Sequence, residues 1–413
     1  MPEDAYHMIE KIHIQDYRSC HDTTFEPQPD LSVLIGPNGS GKTTVLNACL
    51  LMRQLIFDRR RHEDETATDE CGLKVWFRVN GKRAIFNTKI KLYTEGDNSD
   101  VIVGAHQTWY AKDFTGSGSR LKMPISLARQ FGARRRTSSA YWHDSFHYHM
   151  SMSELSDIPE SFQASIGLIS EHVADIKYYS ASQFTNPSDC PVSIEVEKAG
   201  RSSRGVGLRR GHTRFLYDLY RAHKSEKREG YEEFLSVIGP DGIGLVDEIT
   251  FQEILTSSVE HRVRSGGQVR ELKREKLLVI PQFTIGANAL SPSQLSEGTF
   301  KTITLLFYVM TERSSSLLIE EPEVCVHQGL LSSIVELIKT YSKQKQIIVS
   351  THSDFVLDKI DPQNVYVVSR DPTEGTRVRN IAKTMSHDDL VALKEYLETE
   401  GNLGEYWRHG GLE

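Results

Sequence analysis

The sequence predicts an α/β fold: parallel strands meeting a glycine-rich phosphate loop, an antiparallel β subdomain beside them, and a helical insertion in the second half. Three observations predict it. Leu31 to Ile35 is a short apolar run followed at once by Gly36-Pro37-Asn38-Gly39-Ser40-Gly41-Lys42-Thr43-Thr44 and a helix-forming segment, Val45 to Arg53. Leu317-Leu318-Ile319 runs into Glu320-Glu321-Pro322-Glu323. Gln346 to Val349 runs into Ser350-Thr351-His352-Ser353. Short apolar runs bounded by polar clusters are the pattern of buried strands.

The first run carries the most specific signal. Its loop has the form G-x-x-x-x-G-K-[ST] in the required setting between a strand and a helix. Glycines let successive backbone N–H groups turn toward phosphate oxygens, and the helix adds its partly positive N-terminus. Gly36, Asn38, Gly39, Ser40, Gly41, Lys42, Thr43 and Thr44 are therefore the candidate nucleotide-binding residues. Lys42 supplies a positive charge for the β- and γ-phosphates of ATP or GTP, and Thr43 is placed to ligate Mg²⁺.

The other two strand ends supply the rest of a hydrolytic site. Strand ends of such folds line the ligand crevice, so the termini at Glu320 and Ser350 are expected to converge on the same phosphates. Glu320 would hold Mg²⁺ through a water. Glu321 would be the general base, or would position the attacking water. His352 would hydrogen-bond the γ-phosphate. Upstream, Leu295-Ser296-Glu297-Gly298-Thr299 heads an apolar helical segment from Phe300 to Met310, where serine and glycine suit an N-cap and an anion site.

GPNGSGKTT, LSEGT, LLIEEPE and STHS, in that order, resemble the P-loop, signature, Walker B and H-loop of ABC-type ATPases. The branch most similar is that of the RecF, SMC and OLD proteins. The opening from Ile9 to Ser19 and the run from Thr351 to Asp371 resemble it as well. The resemblance spans the first 55 or so residues and the last 130 or so. It implies a P-loop NTPase of ABC-head type, paired head to tail so that Ser296 and Gly298 of one copy meet the γ-phosphate held by Lys42 of the other. It also implies Gln183 as the Q-loop residue, contacting nucleotide and metal, so the implied metal set is Thr43, Gln183 and Glu320. LSEGT differs from the LSGGQ of transporters, and Glu320 stands where many ABC proteins have aspartate.

The remaining segments carry less specific signals. Residues 73 to 112 alternate apolar and polar about Asn80-Gly81, a hairpin turn, and predict an antiparallel sheet. Residues 113 to 165 read as a surface or partner loop holding Arg134-Arg135-Arg136, with His143 and His147 spaced for one helix face. Residues 184 to 289 form a second insertion with two arginine-rich stretches, one from Arg201 to Arg214 and one from Arg262 to Lys276. Such stretches are candidates for contact with the phosphates of DNA or RNA. The proposed division is therefore 1–183, with the signature lobe beginning at 290.

Composition bounds the class. The 413 residues carry 25% charged and 38% hydrophobic side chains and a net charge of -7, the balance of a folded cytoplasmic protein. No apolar run approaches the roughly 20 residues of a membrane span. The 5 cysteines form no C-x-x-C pair and read as free thiols. No heptad run signals long coiled-coil arms, and no Toprim motif follows His352, so the chain is not expected to be a nuclease itself.

The leading expectation is an ATP-hydrolysing switch resembling the standalone ATPase subunits of bacterial antiphage defence systems such as Septu, PARIS and retron-associated ATPases. It would pair with itself on ATP and control a separately encoded effector nuclease. The alternatives are a RecF-like repair ATPase and a scaffold that retains ATP with little turnover.

Overall fold

The computed structural model describes residues 8–57, 69–79, 82–94, 100–110, 120–123, 176–184, 186–197, 211–226, 228–263, 269–311, 316–324, 326–399 and 401–410. The stretches Arg134 to Arg136, His143 to His147 and Arg201 to Arg210 lie outside them, as does most of the 113–165 segment.

The sheet that positions the site has two halves of different origin. A parallel half is made of β3 (Leu31–Ile35), β8 (Lys177–Ser180), β13 (Ser316–Glu320), β14 (Gln346–Thr351) and β15 (Val365–Asp371), in the order β15-β3-β14-β13-β8. An antiparallel half continues from β15 through β16 (Gly375–Asn380), β2 (Cys20–Phe25) and β1 (Met8–Tyr17) to β4 (Asp69–Val79), β5 (Lys82–Thr94), β6 (Asp100–Tyr110) and β7 (Arg120–Met123). β4 and β5 pair antiparallel up to Val79↔Lys82, as the alternation predicts, while the turn expected at Asn80-Gly81 lies outside the described residues.

The central parallel strands read as unbroken apolar runs because both faces are covered. Every residue of β3, β13 and β14 is buried. The two-residue period of a strand then deals alternate side chains to two separate cores. Val33, Ile35, Leu317, Ile319, Ile347 and Val349 enter the larger core, while Leu34, Leu318 and Ile348 enter the smaller one. Helix α1 (Lys42–Phe57), which follows the phosphate loop, packs Val45, Leu46, Ala48 and Cys49 into the smaller core.

The larger core lies under the insertion. It contains α2 (Gly211–Lys224), α3 (Glu229–Ile238) and α4 (Glu297–Thr311), with α5 (Gln328–Ser342) beyond. The insertion before the signature is thus helical, as expected, and also carries a long two-stranded ribbon. Strands β10 (Glu248–Val263) and β11 (Val269–Ile285) pair along their length, and β9 (Ile194–Glu197) and β12 (Asn288–Leu290) add to β11. Fifteen or so residues at about 3.4 Å each make a ribbon on the order of 50 Å long. Its base joins the core through Ile249, Val279 and Phe283.

Two buried polar side chains fix how the layers meet. Gln346 is fully buried and accepts from Ile9 N (3.1 Å) while donating to Ile9 O and Gln28 O (both 2.9 Å), so one amide joins β14 to the antiparallel half. Lys345 donates to Val309 O at 2.7 Å, satisfying a carbonyl in the last turn of α4. The described cysteines, Cys20, Cys49, Cys71 and Cys190, are buried and form no disulfide with one another. Among the described residues no helix is long and apolar enough to cross a membrane.

Candidate nucleotide site

The five parallel strands end at one edge of the sheet, so their C-terminal residues converge. Beyond β3 lies a cavity of about 470 Å³ lined by Asn38, Gly39, Gly41, Lys42, Thr43, Thr44 and Glu321, together with Arg18, Ser19 and Arg370. The loop and the first carboxylates are therefore brought together by the fold.

Glycine is required in this loop by close approach. A Cβ on Gly36 would stand 2.1 Å from Val368 O, and one on Gly41, whose φ is 108°, would stand 2.1 Å from Thr376 Oγ1. Thr376 anchors the loop from behind: its hydroxyl donates to Ser40 O at 3.0 Å and lies 2.9 Å from Ser19 Oγ, which lies 3.3 Å from Thr44 Oγ1. Ser40 Oγ is buried and has no hydrogen-bond partner among the described residues. A buried hydroxyl without a partner costs free energy, and Ser40 lies between two residues of the cavity lining, Gly39 and Gly41, without lining it itself.

Lys42 is 6% exposed, and its ammonium folds back to donate to Gly36 O at 2.8 Å and Pro37 O at 3.1 Å. Burial pushes its pKa below the ordinary lysine range, and the carboxylates of Glu321, Glu323 and Glu320 oppose that shift. The carboxylates of Glu321, Glu323 and Glu320 offset the charge of Lys42, while Arg18 and Arg370 add positive charge to the cavity wall, a balance that suits a phosphate arriving with Mg²⁺. Thr43 Oγ1 donates to Glu320 Oε1, so the two expected metal-holding groups already touch. No cluster of three or more His, Cys, Asp or Glu suited to a metal occurs among the described residues. Mg²⁺ is usually held by one or two protein oxygens plus substrate phosphates.

Glu321 has a backbone φ of 50°, an uncommon conformation for a residue with a side chain. The turn is held by Glu321 N donating to Ser350 O at 2.8 Å and Val324 N donating to Glu321 O at 3.1 Å. Such strain, on the order of 1–3 kcal/mol, persists where the surroundings over-determine it. Here it places Glu321 among the cavity's lining residues. His352 Nδ1 lies 3.6 Å from Glu321 Oε1 and 3.5 Å from Glu323 Oε1. Glu323 in turn accepts from Thr351 Oγ1 at 2.7 Å and His352 N at 3.0 Å. It thereby fixes the strand end that carries the histidine. His327, further along, accepts from Gly329 N and caps α5.

Of the expected residues, Gly36, Ser40, Gln183, Ser296, Gly298, Glu320 and His352 are not among those that line this cavity, although Thr43 joins Glu320 to it. Gln183 is exposed on a 3-10 turn (Ala181–Phe184) after β8 and does not line it. Ser296 caps α4, its hydroxyl accepting from Thr299 N at 3.2 Å, and Gly298 follows in the first turn; neither lines the cavity.

The structure adds residues that sequence reading passed over. Arg18 and Ser19 form the two-residue tip of the β1–β2 hairpin, which pairs Tyr17 with Cys20 and brings an arginine with φ of 52° to the cavity. Arg370 reaches it from the end of β15. Tyr178, on β8, donates its phenol to Glu320 Oε2. Burial, with Glu320 beside it, pushes that phenol's pKa upward, so it remains a donor. Arg18 and Arg370 lie inside sequence runs that resemble the ATPase branch, but only their neighbours in space show what they face.

Comparison with known proteins gives matches over both halves of this site. Residues 213–358 match a family described as an AAA domain, putative AbiEii toxin, Type IV TA system, and residues 11–112 match an AAA domain family. A segment of 51 residues is 41% identical to the DNA replication and repair protein RecF of Chlorobium luteolum, covering 12% of this chain and 14% of that protein. A segment of 44 residues is 50% identical to the DNA double-strand break repair Rad50 ATPase of Methanopyrus kandleri, covering 11% and 5%. The chain thus spans a small part of these relatives' length. Among solved structures, an SMC head bound to the C-winged helix domain of ScpA aligns over 93% of this chain and 99% of that one, at 11% identity and TM-score 0.48. The SMC head domain of Thermotoga maritima aligns over 90% and 98%, at 13% and 0.41. The sequence matches support an ABC-type ATPase family, whose members bind ATP and typically Mg²⁺.

Proposed function

We propose that this protein is an ATP-hydrolysing switch that pairs head to tail on ATP and controls a separately encoded effector, a nuclease, in bacterial antiphage defence. The observation that carries the switch is the split of the anion-binding elements. Lys42, Thr43, Glu320 and Glu321 gather at one end of the sheet, while Ser296 and Gly298 head a different helix outside the cavity. A second copy turned about a two-fold axis would bring each signature helix to the other's nucleotide.

In this reading Gly36 to Thr44 cradle the phosphates with backbone N–H groups, and Lys42 turns from its own loop carbonyls to the β- and γ-phosphates. Thr43 and Glu320, with Gln183 after closure, would hold Mg²⁺, which when bound neutralises charge between the phosphates. Glu321 accepts the proton of the attacking water. His352, held between Glu321 and Glu323, donates to the γ-phosphate and loses that partner on hydrolysis. Residues 1–183 and 290–413 would supply the two halves of the head, and 184–289 the surface that meets DNA, RNA or the effector.

The defence role is supported by the description of the family matched over 213–358, which names a putative toxin of a toxin–antitoxin system. The second reading, a RecF-like repair ATPase, is favoured by the 51-residue segment shared with RecF. Solution mass of the Glu321→Gln variant with and without ATP and Mg²⁺, beside phosphate release by the native protein with and without DNA, tests the switch. ATP-driven pairing in the variant with turnover in the native protein is the expected result. DNA-stimulated turnover without any effector would favour repair. An assembly indifferent to ATP, with no turnover, would leave only a nucleotide-retaining scaffold.

A further inference from the structure

Glu320 is gripped from two sides. Thr43 donates to its Oε1, from the loop, and Tyr178 donates to its Oε2, from the neighbouring strand. With both oxygens engaged by different elements, the plane of the carboxylate is fixed.

The second contact depends on register. β8 and β13 run parallel, with Ser180 opposite Glu320 and Tyr178 opposite Leu318. Residues two apart on a strand share a face and stand roughly 6.6 Å from each other. Tyr178 is thus on the face of Glu320 but one pleat behind it, a gap that a tyrosine spans and that serine or threonine does not. The serine beside Glu320, Ser180, pairs its Oγ with Ser182 Oγ at 2.7 Å and also hydrogen-bonds the Tyr178 side chain, so it belongs to the same polar group.

We infer that Tyr178 is a positioning residue for the metal: it holds Glu320 so that Oε1 faces Thr43 and the Mg²⁺ that accompanies ATP. This rests on the ATPase reading above. A carboxylate hydrogen-bonded on its far oxygen keeps one orientation for its near oxygen, and partners of this kind are worth about 10–100-fold in metal affinity when removed. Glu320 is expected to act on the metal through water, which places the effect at the lower end, about tenfold.

The adjacent residue supplies the control. Tyr179 points to the opposite core and donates to Lys301 O at 3.1 Å, within α4. Its hydroxyl makes a buried contact from the same strand on the opposite face of the sheet, where the Tyr178 contact is part-buried.

The test compares native protein with Tyr178→Phe and Tyr179→Phe. Binding of a fluorescent ATP analogue is measured first in EDTA and then across a Mn²⁺ titration, with the metal also followed by electron paramagnetic resonance, and the ligand-free melting temperature is recorded for each. The expected result is a Mn²⁺ half-saturation raised about tenfold in Tyr178→Phe, with EDTA binding unchanged within about twofold and Tyr179→Phe matching native metal dependence. An unshifted half-saturation in Tyr178→Phe overturns the inference while leaving the ATPase reading intact. So does an equal shift in Tyr179→Phe, which would make the effect one of strand packing. A native protein that binds no nucleotide overturns both readings.

Discussion

Helices α1 and α4 each have a serine and a glycine at their N-terminal ends, Ser40 and Gly41 before the first and Ser296 and Gly298 about the start of the second, and they differ in what an arriving anion would meet. At α1 the anion would find Lys42, with Arg18 and Arg370 on the cavity wall; in the same loop the buried Ser40 hydroxyl has no partner among the described residues. At α4 the Ser296 hydroxyl already serves its own helix, Glu297 stands in the first turn, and the buried Lys301 is ion-paired to Glu297 at 2.7 Å. The first end is an incomplete polar site that a phosphate would complete. The second is satisfied as it stands, so any phosphate there must be delivered together with its own cations. That asymmetry is the physical content of a composite site: one half stores the nucleotide and the other recognises it only when presented.

The contrast can be broken most severely at the first end. Lys42→Ala is expected to weaken ATP binding by about two orders of magnitude or more, since it removes the buried charge that faces the phosphates. Equilibrium titration with a fluorescent analogue measures it, and retention of native affinity would move the nucleotide elsewhere. Glu321→Gln should keep ATP binding while lowering phosphate release by roughly 10²–10⁴-fold, the usual worth of a general base. Unchanged turnover would assign the base to another group.

The second end gives a different signature. Ser296→Arg places a bulky cation at the start of α4, and the expectation is near-native ATP affinity in the separate chain with loss of the ATP-dependent mass increase. If pairing survived, the signature helix would not be the contact. The smallest effect should come from Ser40→Ala. Removing a buried hydroxyl that has no partner is expected to leave the ligand-free protein as stable or stabilise it by about 1 kcal/mol, while weakening ATP binding several-fold. Paired melting and binding curves would show it, and a loss of stability without loss of affinity would mean that the hydroxyl serves the fold.

Much of the fold was legible because its signals are local. The loop at Gly36 to Thr44, the buried strands β3, β13 and β14 and the helix after Leu295 each announce themselves within a dozen residues, by apolar runs and by residues with one conformational use. The β4–β5 hairpin was legible from Asn80-Gly81 and alternation for the same reason. The ribbon β10–β11 was not anticipated, because its charged and polar outer stretch has no alternating apolar face to reveal a strand; its order comes from a partner strand rather than from a core.

The site divides in the same way. The sequence alone determined which chemical groups are available: a lysine in a glycine loop, carboxylates and a histidine at strand ends, a serine at a helix start. Tertiary structure decided which of them meet. Arg18 comes from a hairpin tip, Arg370 from the end of β15, Thr376 from behind the loop and Tyr178 from an adjacent strand, and no spacing along the chain encodes those approaches. It likewise decided that Ser296 and Gln183 stand away from the cavity. Local chemistry is written in short runs, whereas proximity across a sheet is fixed only when strand order and register bring distant segments to one edge.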